Sequence, residues 1–184
     1  MLIRVKLAKF ATVETERLLL RPFAFDDLED FAEIVLNPKV MTFIHPGYQT
    51  HEEAATLLVT AFMSEPLGKW AIVDKASGKV IGAIRLENYN EHRRSAEIGY
   101  FLAEADWQQG FMTESLKTLT FLCFQEFGMT SLQVIVHEEN VASRALAEAC
   151  HFTLKERFKG SDRYTHKMRR YSRLELRIED YRYE

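Results

Sequence analysis

Between residues 94 and 140 the hydrophobic period of this chain changes twice. "RSAEIGYFL" (94–102) is a β-rich run. From Phe111 to Phe127 the apolar residues Met112, Leu116, Leu119 and Cys123 step by four, three and four, and "SLQVIVHEEN" (131–140) is again a short apolar run. Gly128 supplies a stop for the intervening helix. Parallel strands need a connection of a dozen or more residues, usually a helix, whereas a hairpin needs only two. The pattern therefore predicts a parallel crossover around a long central helix.

The flanking segments extend this unit. "RLLLRPF" (17–23) reads as a first strand. Asp26, with Glu29 three residues on and Leu28, Phe31 and Val35 at helical spacing, predicts a helix through Leu36 that stops at Asn37-Pro38. Thr50 and Glu53 repeat the capping signature for a second helix to about Phe62. "KWAIVDKASGKVIGAIRLEN" is two β-rich runs around the turn Ala76-Ser77-Gly78, a hairpin. Asn140 caps a helix over "VASRALAEAC", and "FTLKERF" with "RYTHKMRRYSRL" form a terminal strand pair. The order β, α, α, β, β, β, α, β, α, β, β predicts an α/β protein of the α+β mixed-sheet kind, with helices on both faces. A doubly wound dinucleotide fold alternates strand and helix more regularly.

Composition narrows the function. The 184 residues, 47% of them hydrophobic, suffice for one domain. With 24 basic and 27 acidic residues, net charge -3, the chain has no overall field that would collect nucleic acid or an anionic membrane. Two cysteines, Cys123 and Cys150, do not make a metal cluster or a disulfide scaffold and read as buried, reduced thiols. Arg4, Lys6 and Lys9 interrupt the apolar residues of the N-terminus, which excludes a signal peptide or membrane span there and points to the cytoplasm.

The chemistry concentrates in "EADWQQGFMTESL" (104–116), a strand-to-helix corner with a single glycine, Gly110. A helix that follows a strand directly presents unpaired N–H groups and the positive end of its dipole, a place for an anion such as pyrophosphate. The dinucleotide fingerprint G-x-G-x-x-G is absent, as are the lysine and hydroxyl of the nucleotide-triphosphate loop. In order along the chain, "ETERLLLRPF", "DDLEDF", "EIGYFL", "WQQGFMTES" and "ENVASRALAEACHF" resemble the GNAT acetyltransferases, most closely the RimJ/RimL-type N-terminal acetyltransferases, over roughly residues 14 to 173.

That resemblance implies a single acyltransferase domain over 1–184, with a charged tail at 174–184. Its sheet would be mostly antiparallel, with helices on both faces and a splayed parallel pair of strands at the coenzyme A site. It implies acetyl-CoA as co-substrate and no metal. The implied cofactor contacts are the amides of Gln108, Gln109, Gly110, Phe111, Met112 and Thr113, the backbone of Tyr100, Phe101 and Leu102, and the Asn140 side chain with Ser143 nearby. The family's pyrophosphate loop falls on Trp107, Gly110 and Met112, of which only the glycine matches; its small size permits close approach of phosphates.

Acetyl transfer needs a base for the amine, donors for the developing oxyanion and a route for the thiolate to leave. The resemblance implies Glu97 as base, a backbone N–H near Phe101 or Leu102 as oxyanion donor, and an alanine, Ala147, where many relatives have a tyrosine that protonates the thiolate. Ser143 is the nearest replacement on the same helix. His137 is a second candidate base by its ordinary pKa. Tyr48, Trp70 and Tyr89 are candidate walls for an acceptor pocket, together with the first two helices, the loop 37–50 and the last strand pair. The acceptor is an amine, either a protein N-terminus or a small molecule, and a homodimer is open. The competing expectations are a non-catalytic coenzyme A sensor or assembly module and an RNA-binding module; the basic "RYTHKMRRYSR" that would support the latter fits a solvent-facing strand.

Overall fold

A computed structural model describes residues 2–45 and 47–183. Pro46, in the loop expected to help form the acceptor pocket, lies outside them. The elements are α1 (Ile3–Lys9), β1 (Val13–Glu14), β2 (Leu18–Arg21), α2 (Leu28–Val35), α3 (Pro38–Met41), α4 (His51–Leu57), β3 (Lys69–Asp74), β4 (Val80–Asn90), β5 (Ser95–Leu102), α5 (Phe111–Gln125), β6 (Ser131–His137), α6 (Val141–Ala149), β7 (Thr153–Ser161) and β8 (Met168–Arg177). The strands hydrogen-bond in the order β1-β2-β3-β4-β5-β6-β8-β7. The predicted crossover is present: β5 and β6 are parallel, paired from Ser95↔Ser131 to Glu97↔Gln133. The other recorded ladders are antiparallel.

By contact density the chain divides into two compact units, Met1–Arg85 with Tyr100–Ser115, and Leu86–Gly99 with Leu116–Glu184. In the first unit Phe23, Phe31 and Phe62 meet at ring-centroid distances of 4.8 to 5.6 Å. Phe101 stands edge-on to Phe31 and Phe62, so the C-terminal end of β5 is anchored in this aromatic core. The helix α4 begins with the predicted capping box: Thr50 Oγ1 accepts from Glu53 N–H, and Glu53 returns a carboxylate to Thr50 N–H, each at 3.1 Å. It then widens into a π-helical segment, Leu58–Met63.

In the second unit β8 lies between β6 and β7, in register with β6 from Ser131↔Arg177 to His137↔Tyr171. Leu132, Val134 and Val136 of β6 and Leu174 and Leu176 of β8 are buried at alternate positions, the pattern of strands with one face in a core.

The expectations are corrected in several places. A helix, α1, and a short strand, β1, precede the strand read as the first; Ile3 and Leu7, one turn apart, are its buried stripe, too short a pattern to distinguish from an irregular terminus. Asp27, not Asp26, organises the start of α2. Its carboxylate accepts from Ala24 N–H at 2.8 Å and takes a two-pronged contact from Arg21, after a 3₁₀ turn at Phe25–Asp27. The helix α2 does stop before Asn37-Pro38, ending at Val35 with Leu36 as its C-cap, but an unforeseen short helix follows: Asn37, in extended backbone, caps α3, with proline in the first helical turn where its missing N–H costs nothing. Residues 163–165, expected in the terminal strand pair, form a turn, and the charged tail begins as strand, continuing β8 to Arg177 before a 3₁₀ turn at Ile178–Asp180. Trp70 is 1% exposed and donates its indole N–H to the Phe10 carbonyl at 3.0 Å, so it is a core residue and cannot wall an open pocket.

Candidate active site

In the first unit the chain leaves β5 at Leu102, makes a 3₁₀ turn at Glu104–Asp106 and enters α5 at Phe111. Two residues within three positions take left-handed backbone, Gln108 (φ 60°) and Gly110 (φ 81°). Such alternation turns successive peptide N–H groups to one side and makes an anion-binding concavity. The earliest recorded helical bond of α5 runs from Glu114 N–H to the Gly110 carbonyl at 3.0 Å. The amides of Phe111, Met112 and Thr113 therefore precede the helical ladder. Gln108, Gln109 and Gly110 are exposed, while the side chains of Phe111 and Met112 turn into the interior. Met112 thus offers only its backbone outward, and the bulk that set it apart from a glycine at this position is out of the way. These features fit a pyrophosphate.

The loop is braced from β2's approach, a feature sequence reading missed. Arg17 donates through Nε to Glu114 Oε2 at 2.7 Å and through Nη1 to the Gln109 carbonyl at 2.8 Å. Its guanidinium lies 4.5 Å from the centroid of the Phe111 ring. Thr15 Oγ1 and Arg17 N–H both donate to Glu114 Oε1, at 2.6 and 3.0 Å. Burial pushes the Glu114 carboxyl up, but the hydrogen bonds from Thr15 and Arg17 outweigh it and hold the pKa below the usual glutamate value. No local motif signals this, because the partners stand 97 positions apart.

The end of β5 is equally specific. A Cβ on Gly82 of β4 would run into the Phe101 carbonyl oxygen, and Ala103 N–H donates to the Ile81 carbonyl at 2.7 Å. Phe101 and Ala103 therefore direct their backbone groups toward β4. By strand alternation Leu102 directs its own groups to the opposite edge. The Leu102 carbonyl on that edge accepts from the Trp107 indole at 2.8 Å. Of the two amides that sequence left open for an oxyanion, Leu102 N–H is the one not turned toward β4.

In the second unit Glu97 is the last β5 residue in register with β6. Its carboxylate accepts from Asn88 Nδ2 at 3.1 Å. Arg94, three residues before it, gives its Nε to the Gly128 carbonyl at 2.6 Å. His137 lies at the end of β6 with Nε2 3.7 Å from Asp162 Oδ2 and its ring 4.6 Å from that of Tyr171. Burial lowers the pKa of His137, and Asp162 opposes that shift. Asp162 in turn accepts from the N–H groups of Tyr164 and Thr165, so this cluster ties the β7–β8 turn together.

Asn140 caps α6 as expected, Oδ1 accepting from Ser143 N–H at 3.1 Å. The cap occupies the carbonyl end of that side chain and leaves Nδ2 as the end available to a ligand. Ala147 is fully buried, so the helix face that would bear an acid there is packed. Cys123 and Cys150 are both buried and outside any disulfide, and burial raises the Cys123 thiol pKa. A cavity against α5 near Thr120 and Cys150 contains none of the cofactor or catalytic residues named above. Among the described residues there is no group of three or more His, Cys, Asp or Glu that could hold a metal, and no helix long and apolar enough to cross a membrane.

Comparison with known proteins is consistent with this geometry. Residues 17–153 match a family model described as the acetyltransferase (GNAT) domain. The uncharacterized N-acetyltransferase YoaA of Bacillus subtilis (strain 168) is 28% identical over 141 residues, 74% of this chain and 80% of that protein. In fold, the chain is similar to a GNAT-family acetyltransferase from Bacillus anthracis, with a TM-score of 0.81 at 20% identity over 91% of this chain and 99% of that one. It is also similar to RimL, a ribosomal L7/L12 alpha-N-protein acetyltransferase, with a TM-score of 0.77 at 19% identity over 91% and 94% of the two chains.

Proposed function

The chain belongs to the GNAT acetyltransferase family, and on that premise we propose that it moves an acetyl group from acetyl-CoA directly to a primary amine within a ternary complex. The observation that carries this is the loop 108–113, with left-handed backbone at Gln108 and Gly110 and amides that precede the α5 ladder. Acetyl-CoA supplies an acyl group activated as a thioester. The amides of Gln108 to Thr113 hold the pyrophosphate, the backbone of Tyr100 to Leu102 the pantetheine, and Asn140 Nδ2 with Ser143 a further part of the cofactor. A family match that runs through both compact units supports one acyltransferase domain over the whole chain.

Each chemical task falls to a named group. An ammonium has no lone pair, so Glu97 accepts a proton from the acceptor, directly or through a water. Leu102 N–H stabilises negative charge developing on the acyl oxygen, where a fixed backbone dipole needs no reorganisation. Ser143 stands on the helix face from which a hydroxyl could protonate the departing thiolate; a thiol pKa of roughly 8.5 makes unassisted departure feasible as well. The acceptor is a protein N-terminus or a small amine, and the fold it shares with RimL favours the former.

The test follows free thiol while acetyl-CoA is incubated with a panel of peptides with free N-termini and small amines. Acceptor-dependent thiol release is expected. Tight coenzyme A binding without it would establish the rival reading, a sensor or assembly module, which draws on the packed alanine at position 147. Glu97→Gln should lower turnover about 100-fold near neutral pH while coenzyme A affinity is kept; unchanged turnover across the pH range would remove Glu97 as the base.

A further inference from the structure

Arg17 stands just before β2, and the contacts of its side chain converge on the segment that leads into α5 and on the first turn of that helix. Resting on the reading of residues 108–113 as the pyrophosphate loop, we propose that Arg17 is a positioning residue for acetyl-CoA, holding that loop in its binding conformation in advance.

Three contacts bracket Gly110. Arg17 grips the residue before it at the Gln109 carbonyl, lies over the ring of the residue after it, Phe111, and bonds Glu114 in the first turn of α5. The peptide unit joining Gln109 to Gly110 is planar and trans, so its C=O and N–H point in opposite directions. Turning the Gln109 carbonyl onto Nη1 therefore aims the Gly110 N–H away from Arg17. The backbone freedom of glycine at φ 81° is what makes this orientation accessible, and it is also what the unbraced loop would spend in other conformations.

The effect is geometric rather than a contribution of charge. A cation at a helix N-terminus is unfavourably placed against the dipole. Here Glu114 neutralises it through a 2.7 Å ion pair, and the pair as a unit adds little field to the loop. A guanidinium can reach Glu114 and the Gln109 carbonyl simultaneously because its donors form a planar fork; a lysine ammonium is a single point and cannot span both.

The experiment measures coenzyme A affinity by calorimetry, together with kcat and KM, for wild type, Arg17→Ala and Arg17→Lys. Loss of the brace should weaken coenzyme A binding and raise the KM for acetyl-CoA by about tenfold, the loop having to be ordered on binding. The kcat and the KM for the amine should stay within about twofold. Arg17→Lys should remain as impaired as Arg17→Ala. Unchanged affinity in Arg17→Ala, restoration by lysine, or a parallel loss of kcat and both KM values would each overturn the proposal. Should Arg17→Ala fail to fold, Glu114→Gln releases one anchor of the guanidinium and should give the same selective loss in smaller measure; an unchanged affinity there overturns it too. Wild-type protein that binds no coenzyme A refutes the pyrophosphate loop itself, whereas tight wild-type binding that is indifferent to Arg17 refutes only the brace.

Discussion

The helices α5 and α6 both begin at candidate cofactor contacts, yet their N-termini are built in different ways. Asn140 caps α6 with its own side chain, bonding an amide three residues ahead. The start of α5 has a glycine in left-handed backbone and is held from outside by Thr15 and Arg17, through Glu114. A cap made within four residues needs only local chain geometry. A brace made across nearly a hundred residues exists only when the first unit has folded, so the α5 loop inherits its shape from tertiary structure and the α6 start does not.

The largest effect that would sharpen this contrast is expected at Gly110. Gly110→Val forces a β-branched residue into left-handed backbone and brings its Cβ to 3.3 Å from Arg17 Nη2. Strain of about 1–3 kcal/mol is expected, so coenzyme A affinity should fall roughly 10- to 100-fold, measured by calorimetry. Normal affinity would mean the phosphates bind elsewhere.

Next in size is the local cap. Asn140→Ala should cost about 1 kcal/mol of stability in urea unfolding, and Asn140→Ser, an equally good cap, should restore it. Because serine lacks the amide Nδ2, coenzyme A affinity should remain reduced in Asn140→Ser if that amide touches the cofactor. A serine variant normal in both respects would reduce Asn140 to a cap.

The smallest effect is in acid. Glu114 has its pKa held down in the folded state, so its contribution to stability is present above the ordinary glutamate value, about 4.3, and is lost as pH falls through the lower folded value. Thermal unfolding followed from about pH 6 downward should show Glu114→Gln less stable than wild type near neutrality, with the gap closing in acid. A gap that stays constant would show that the brace owes nothing to the ionised carboxylate.

Much of the molecule was legible before its structure. The Thr50–Glu53 box, the hairpin around Gly78, the parallel β5–β6 crossover and the Asn140 cap all rest on bonds between residues close in sequence or on a hydrophobic period sustained over many residues. The N-terminal α1 was missed because seven residues with two buried positions make too little pattern. Trp70 was misjudged for a related reason: an aromatic residue in a strand has the same local signature whether it walls a pocket or, as here, lies 1% exposed with its indole satisfied by Phe10.

By itself the sequence determined the order of the main strands and helices from β2 onward, the absence of a nucleotide fingerprint, and a glycine placed where phosphates could come close. Those follow from backbone propensity and local sterics, which a short window of residues contains. Only the tertiary structure decided that the Leu102 amide rather than that of Phe101 is turned away from β4, that Met112 buries its side chain, and that Arg17 reaches across to orient the loop. Direction is the common element in all three: which way a peptide group or side chain points depends on partners that the chain brings near only by folding.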